Sequence, residues 1–337
     1  MIDAPLLRLD FAFTEADTPD VRRRIASDLA HIARRAHALD ARLDALVLTG
    51  GFARGEGTVR DGAPVNDYDL IAVRSRPGGD GIYRRLGEHL TSEVGLEVDL
   101  MPVWRARLPY VGRKLFWLDL RLGGRVVSGD PRALEKLRVF HVARVSRGEI
   151  ARLLGNRAAG MLLSLPAPGE APDPRQRDLQ ATKAVLAAMD ATLLDQGIYA
   201  PGMRERLSLT AAHRDHETFA TAVEWKLRPH HPLPATWWER ARDVLLRAVD
   251  ETHARRGRDG VVEHLMHTAK ARRVASSPSQ AVRRVAWDLL SISTFPDGPA
   301  DLPGAVTMVR RLGFAPGGGD WGALKRTFFS ARSRTLQ

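Results

Sequence analysis

Apolar residues in the first part of the chain alternate between a helical and a strand repeat. Val21, Ile25, Leu29, Ile32 and Leu39 recur at helical spacing behind Thr18-Pro19-Asp20. A capping threonine, a proline at the first helical position and an acid in the first turn mark a helix start. The helix should end near Asp40, and Leu46–Thr49 reads as a short buried strand. Asp61–Pro64 is a turn, and Tyr68–Val73 is a second strand. Pro77–Gly81 predicts a loop before a helix over residues 82–94. Leu96–Met101 alternates as a third strand, stopped by Pro102. Arg125–Val127 is a fourth strand, entered from a hairpin turn at Arg121–Arg125 and left through Ser128–Pro131. This order predicts an α/β (more closely α+β) unit with a small mixed sheet.

The pattern changes further along. Pro166–Pro174 is rich in proline and breaks any helix. Leu179, Leu186, Met189 and Leu193 then mark a helix closed by Gly197. Trp237–Ala254 marks another and Ser279–Leu290 a third, with breaks at 297–304 and 315–319. The expected second domain is an all-α helical bundle. The boundaries are 1–145 and 146–337, and a chain of 337 residues fits two domains.

Composition narrows the class. Hydrophobic residues make up 44%, enough for a sizeable core. No run of 18 or more apolar residues predicts a membrane span, and the N-terminus lacks the basic and apolar pattern of a signal peptide. With 0 cysteines there is no disulfide, thiolate site or thiol nucleophile, and the expected location is cytoplasmic. The net charge of +11 is uneven: residues 1–150 hold 24 Lys+Arg against 21 Asp+Glu, and residues 151–337 hold 27 against 19. A solvated basic surface is the simplest account, ahead of an anionic small substrate or RNA.

The candidate chemistry lies in Leu46–Gly57, Asn66–Leu70 and Glu97–Leu100. An apolar strand runs into Thr49-Gly50-Gly51. The next strand carries Asp67 and Asp69 on one face, and a third brings Asp99. Taken singly, a glycine pair is a tight turn, a D-x-D is a solvated edge and Asp99 is an ion-pair partner. Together, on successive strands, they resemble the DNA polymerase β-type nucleotidyltransferase superfamily. The resemblance covers residues 20–130 and extends more weakly into the helical half, as in kanamycin- and lincosamide-type nucleotidyltransferases. The gap from Gly51 to Asp67 is longer than usual, with Asp61–Pro64 as an inserted turn.

The resemblance implies that Asp67 and Asp69 hold two Mg2+ ions (Mn2+ as the alternative). Asp99 would hold the ion at the acceptor hydroxyl and help deprotonate it. It implies that the Gly50 and Gly51 N–H groups meet the β- and γ-phosphates, with Thr49 and Arg54 as further phosphate contacts. In the second half, Lys183, Asp190 and Tyr199 are similar to the helical region of related enzymes. There Lys183 would reach the triphosphate, Tyr199 would join the nucleotide site and Asp190 would be an acceptor base. The plain alternative is an amphipathic helix with surface charges.

Other features are weaker. His264 and His267 lack a third metal ligand, His230-His231-Pro232 is a turn, and Trp237-Trp238 reads as core. The tail 321–337 reads as a terminal helix.

The expected function is transfer of a nucleoside monophosphate, AMP from ATP by default, to a hydroxyl of a small molecule. The alternatives are a protein or RNA acceptor, as in antitoxin-type enzymes, a second nucleotide, or a non-catalytic nucleotide-binding protein.

Overall fold

The computed structural model describes residues 9–166, 171–229 and 232–253, with scattered positions between 293 and 327. Two compact units emerge. The first is Met1–Val145 together with Ala200–Arg206 and Val223–His231, and the second is Ser146–Tyr199, Leu207–Ala222 and Pro232–Gln337.

The first unit begins with α1 (Pro19–Leu39), capped by Thr18, whose hydroxyl accepts from the Val21 N–H. Val21, Ile25, Leu29 and Ile32 form its buried face, while Leu39 at its end is 51% exposed. Then come β1 (Leu43–Leu48), α2 (Gly50–Ala53), β2 (Val59–Arg60), β3 (Ala63–Pro64), β4 (Tyr68–Arg74), α3 (Asp80–Val94), β5 (Val98–Trp104), α4 (Leu115–Gly123) and β6 (Arg125–Gly129). Asp61 and Gly62, both at positive φ, turn β2 into β3 as a small hairpin.

The main sheet has the order β5-β4-β1-β6. β1 pairs antiparallel with β4 and β6, while β4 and β5 run parallel. A parallel pair needs a crossover, and α3 supplies it. One face of the sheet packs on α1 and α3 through Leu46, Leu48, Tyr68, Leu70, Val98 and Leu100. The other carries Ala45, Val47, Ile71, Val73 and Val103, covered by Leu108, Val111, Leu120, Ala133 and Leu137. The mixed sheet with helices is an α+β arrangement.

Three expectations need correction. β5 continues through Pro102 to Trp104, because it is an edge strand, where a missing N–H can face the open side. Residues Arg121–Arg125 end the helix α4 instead of forming a hairpin turn, with the Gly124 N–H bonded to the Leu120 carbonyl. Asp67 precedes β4, whose pairing starts at Tyr68.

In the second unit, α5 (Arg147–Leu163) was not marked by the sequence pattern. α6 (Pro174–Asp195) is capped by Asp173 and followed by Gly197 at φ 74. α7 (Met203–Leu209) and α8 (His216–Leu227) each have residues in both units, and α9 is Trp237–His253. Trp237 and Trp238 are fully buried, as expected of core. Their indole N–H groups donate to Thr182 Oγ1 at 3.2 Å and Ser164 Oγ at 3.1 Å. Ser293–Thr294 pairs with Gly298–Pro299, so this unit is not purely helical. Ser279–Leu290 and the break at 315–319 lie outside the described residues, as do His230, His231, His264, His267 and most of 321–337. No helix among the described residues is long and apolar enough to cross a membrane.

Buried polar groups tie α1 to the sheet. Tyr68 donates to Asp28 Oδ2 at 2.9 Å, and Asp28 also accepts from Arg24. At the other end of α1, Asp40 accepts from Arg74 Nε at 2.5 Å and from Tyr83 at 3.1 Å. Burial pushes the Asp40 carboxyl up, but the hydrogen bonds from Arg74, the Arg42 N–H and Tyr83 outweigh it, so the net displacement is downward. A depressed carboxyl stabilises the fold above its unfolded pKa and loses that contribution as pH falls through the folded one. Arg74→Ala should cost about 1.5–3 kcal/mol in urea denaturation at pH 7, because the half-buried Asp40 loses its charged hydrogen-bond partner. The stability difference between wild type and Asp40→Asn should shrink as the pH is lowered from 7 to 3.

Candidate functional site

The glycine turn is built by the chain folding back on itself. β1 ends at Leu48, and the Thr49 N–H extends the ladder to the Asp69 carbonyl at 2.9 Å. Gly50 has φ 70, a left-handed value open to glycine at little cost. A Cβ at Gly50 would run into the Asp69 carboxylate, which occupies the space that a side chain there would need. The Gly51 carbonyl accepts from the Arg54 N–H at 3.2 Å and the Glu56 N–H at 2.9 Å, closing the loop. Gly57 lies against the Phe52 ring, which stacks on Tyr68 at 5.1 Å between centroids. Thr49 is buried, and its hydroxyl makes no capping bond to α2.

The acids come from β4 and β5. In the parallel ladder Asp69 stands directly opposite Asp99, followed by Ile71 opposite Met101 and Val73 opposite Val103. Neighbouring strands lie about 4.8 Å apart, so the two carboxylates start from adjacent backbones on one sheet face. Asp69 is half-buried and Asp99 exposed on the edge strand. Asp67 is exposed just before β4. The preceding Asn66 accepts from the Thr58 N–H through its side-chain oxygen, fastening the approach to the strand.

Among the described residues no three His, Asp or Glu side chains are gathered as a metal-holding set. Asp69 and Asp99 are set side by side by the ladder, and Asp67 lies just before it. The donors on offer are all carboxylate oxygens, the ligand type that Mg2+ prefers.

α2 is a single turn, and Arg54 caps its end. Its Nε donates to Glu56 Oε2 at 3.0 Å, and its side chain is 14% exposed against Gly123. Burial opposes the guanidinium charge, but Asp119 and Glu56 outweigh it and raise its pKa. The other Glu56 oxygen accepts from the Met203 N–H. Glu56, which sequence reasoning passed over, thus joins the glycine turn to the start of α7. Its one signal was its place between Gly55 and Gly57.

Lys183, Asp190 and Tyr199 belong to the second unit. Lys183 and Asp190 are half-buried on α6, and Oδ1 of Asp190 is fully buried. Tyr199 is half-buried beyond Gly197.

The packing of Asp69 on Gly50 makes a direct prediction. Gly50→Ala should destabilise the protein by about 1–3 kcal/mol in urea denaturation, from left-handed backbone strain and a displaced carboxylate. Asp69→Ala in the Gly50→Ala background should recover part of that loss, which a double-mutant cycle measures. Compared with protein-family models and with curated proteins, the chain matches none.

Proposed function

We propose that the protein is a nucleotidyltransferase that moves a nucleoside monophosphate, AMP from ATP by default, to a hydroxyl of a small molecule and releases pyrophosphate. The observation that carries this reading is the register pair Asp69–Asp99 beside a glycine turn whose Gly50 leaves room for the Asp69 carboxylate. Asp67, Asp69 and Asp99 are the residues that would hold two Mg2+ ions, with Mn2+ as the substitute. Bound there, the ions would neutralise charge on the attacking and leaving oxygens of an in-line displacement.

The chain's own groups have distinct parts in this reading. The backbone N–H groups of the Gly50-Gly51 turn and the Thr49 hydroxyl face the triphosphate. Asp99, exposed on the edge strand, accepts the proton of the acceptor hydroxyl. Arg54 acts through Glu56 by holding the turn in shape. Lys183 and Tyr199 are the nucleotide contacts proposed from the second unit, and Asp190 is a second candidate base.

A different observation favours a non-catalytic nucleotide-binding protein. The described residues hold no gathered set of three metal-ligating side chains, and Arg54 is committed to Glu56. One experiment separates the two readings. The full chain is incubated with each α-labelled triphosphate, Mg2+ and a pool of hydroxyl compounds. Transfer supports the enzyme; it should stop with EDTA, return with Mn2+, and fall about 10²–10³-fold in Asp69→Asn, the size of losing one electrostatic contact in the transition state. Nucleotide binding without turnover supports the second reading, and absence of both sinks the two together.

A further inference from the structure

The charge of the first unit is divided along the chain more sharply than its total shows. Residues 1–100 hold 13 Lys+Arg against 17 Asp+Glu, whereas residues 101–145 hold 10 against 3. The basic stretch up to Leu137 forms one layer of the fold. Leu108, Val111, Leu120, Ala133 and Leu137 pack its inner side on the sheet face that carries Ile71, Val73 and Val103. Backbone and side-chain bonds knit the layer together. The Arg138 N–H donates to the Leu108 carbonyl at 3.1 Å, and Arg121 donates to the Leu134 carbonyl at 3.0 Å.

The outer side of this layer is basic and aromatic. Arg107, Arg113, Lys114 and Lys136 are exposed and make no ion pair among the described residues. Between Arg107 and Arg113 the chain presents Tyr110 at 81% exposure. An aromatic ring left this open gains nothing from the core, and cations without acidic partners repel one another. A surface of cations around an open ring suits a ligand that brings both a phosphate backbone and flat unpaired bases. The inner side of the layer is on the sheet face from which, by strand alternation, Asp69 and Asp99 project.

We propose that this layer is a binding surface for single-stranded nucleic acid, with its phosphates on Arg107, Arg113, Lys114 and Lys136 and a base stacked on Tyr110. Charge complementarity names the polyanion, and the exposed Tyr110 ring separates unpaired bases from other polyanions. The surface stands without the proposed transfer chemistry, because binding requires neither triphosphate nor metal.

The test is fluorescence anisotropy of labelled oligo(U) and oligo(dT) with the full chain in EDTA, titrated across salt. Both should bind, with affinity falling as salt rises. Arg113→Gln with Lys114→Gln should weaken binding and make the salt dependence less steep by about 1–2 units of the logarithmic slope. Tyr110→Ala should weaken it about 5- to 150-fold at unchanged slope, and Tyr110→Phe should retain it. Tyr110 is so exposed that both variants should fold, which urea denaturation checks. Preference for oligo(U) or for oligo(dT) distinguishes RNA from DNA as the natural ligand. The proposal is overturned if neither oligonucleotide binds. It is also overturned if inorganic polyphosphate or duplex DNA binds as tightly and Tyr110→Ala changes nothing, since the surface is then a generic polyanion patch. A failure to transfer nucleotide in the separate labelling assay leaves this outcome untouched.

Discussion

The crossover through α3 makes β4 and β5 run parallel, and their register then brings two carboxylates side by side. Asp69 has little freedom in this arrangement. Its carbonyl accepts from the Thr49 N–H, and its carboxylate fills the space beside Gly50. Any side chain at position 50 would have to evict it. The glycine turn and the acid therefore constrain one another, while Phe52 of the same turn stacks on Tyr68. Placing two like charges together in a fold is costly, and such arrangements concentrate at sites that meet a cation or a proton.

The neighbouring core spends polar groups to hold this geometry. Tyr68, next to Asp69 in sequence, points to the other sheet face and ends on Asp28. Burial, with Asp28 beside it, pushes the Tyr68 hydroxyl well above the usual range, so it remains a donor at any ordinary pH. Tyr83 behaves alike beside Asp40, with burial again the main cause. Tyr68 joins β4 to α1 by a hydrogen bond, and Tyr83 joins α3 to the end of α1, so α1 is fastened at two points along its length. Apolar packing alone would leave its placement less well defined.

Legibility in the sequence followed periodicity. α1 was readable because Thr18-Pro19-Asp20 and a clean apolar stripe agreed, and β1 and β4 because buried strands read as short apolar runs. Pro102 misled because a sequence does not say which strand lies at an edge. α4 was missed because Leu115–Gly123 is apolar nearly all round, so it has no stripe to recognise. α5 was missed for a similar reason, with glycines and alanines diluting its apolar face. At the site, Gly50, Asp69 and Asp99 were found from residue type and order. The commitment of Arg54 to Glu56 was not, since the pair forms only because α2 stops after one turn. Glu56 gains its second partner from Met203, far away in sequence, and no local pattern announces such a contact.

That last contact has a consequence for how the protein is made. The first unit includes Ala200–Arg206 and Val223–His231 as well as its N-terminal stretch. Arg204 and Arg228 both reach Glu15, and the Thr58 hydroxyl donates to the Lys226 carbonyl at 2.8 Å. During synthesis the sheet can form as soon as β6 has left the ribosome, but Glu15, Glu56 and Thr58 must then wait for partners not yet translated. Through that interval Glu15 stays without its cations, and Glu56, already paired with Arg54, lacks the Met203 N–H. The turn of residues 50–57 is thus closed locally, and residues beyond 200 add the last contact to its Glu56.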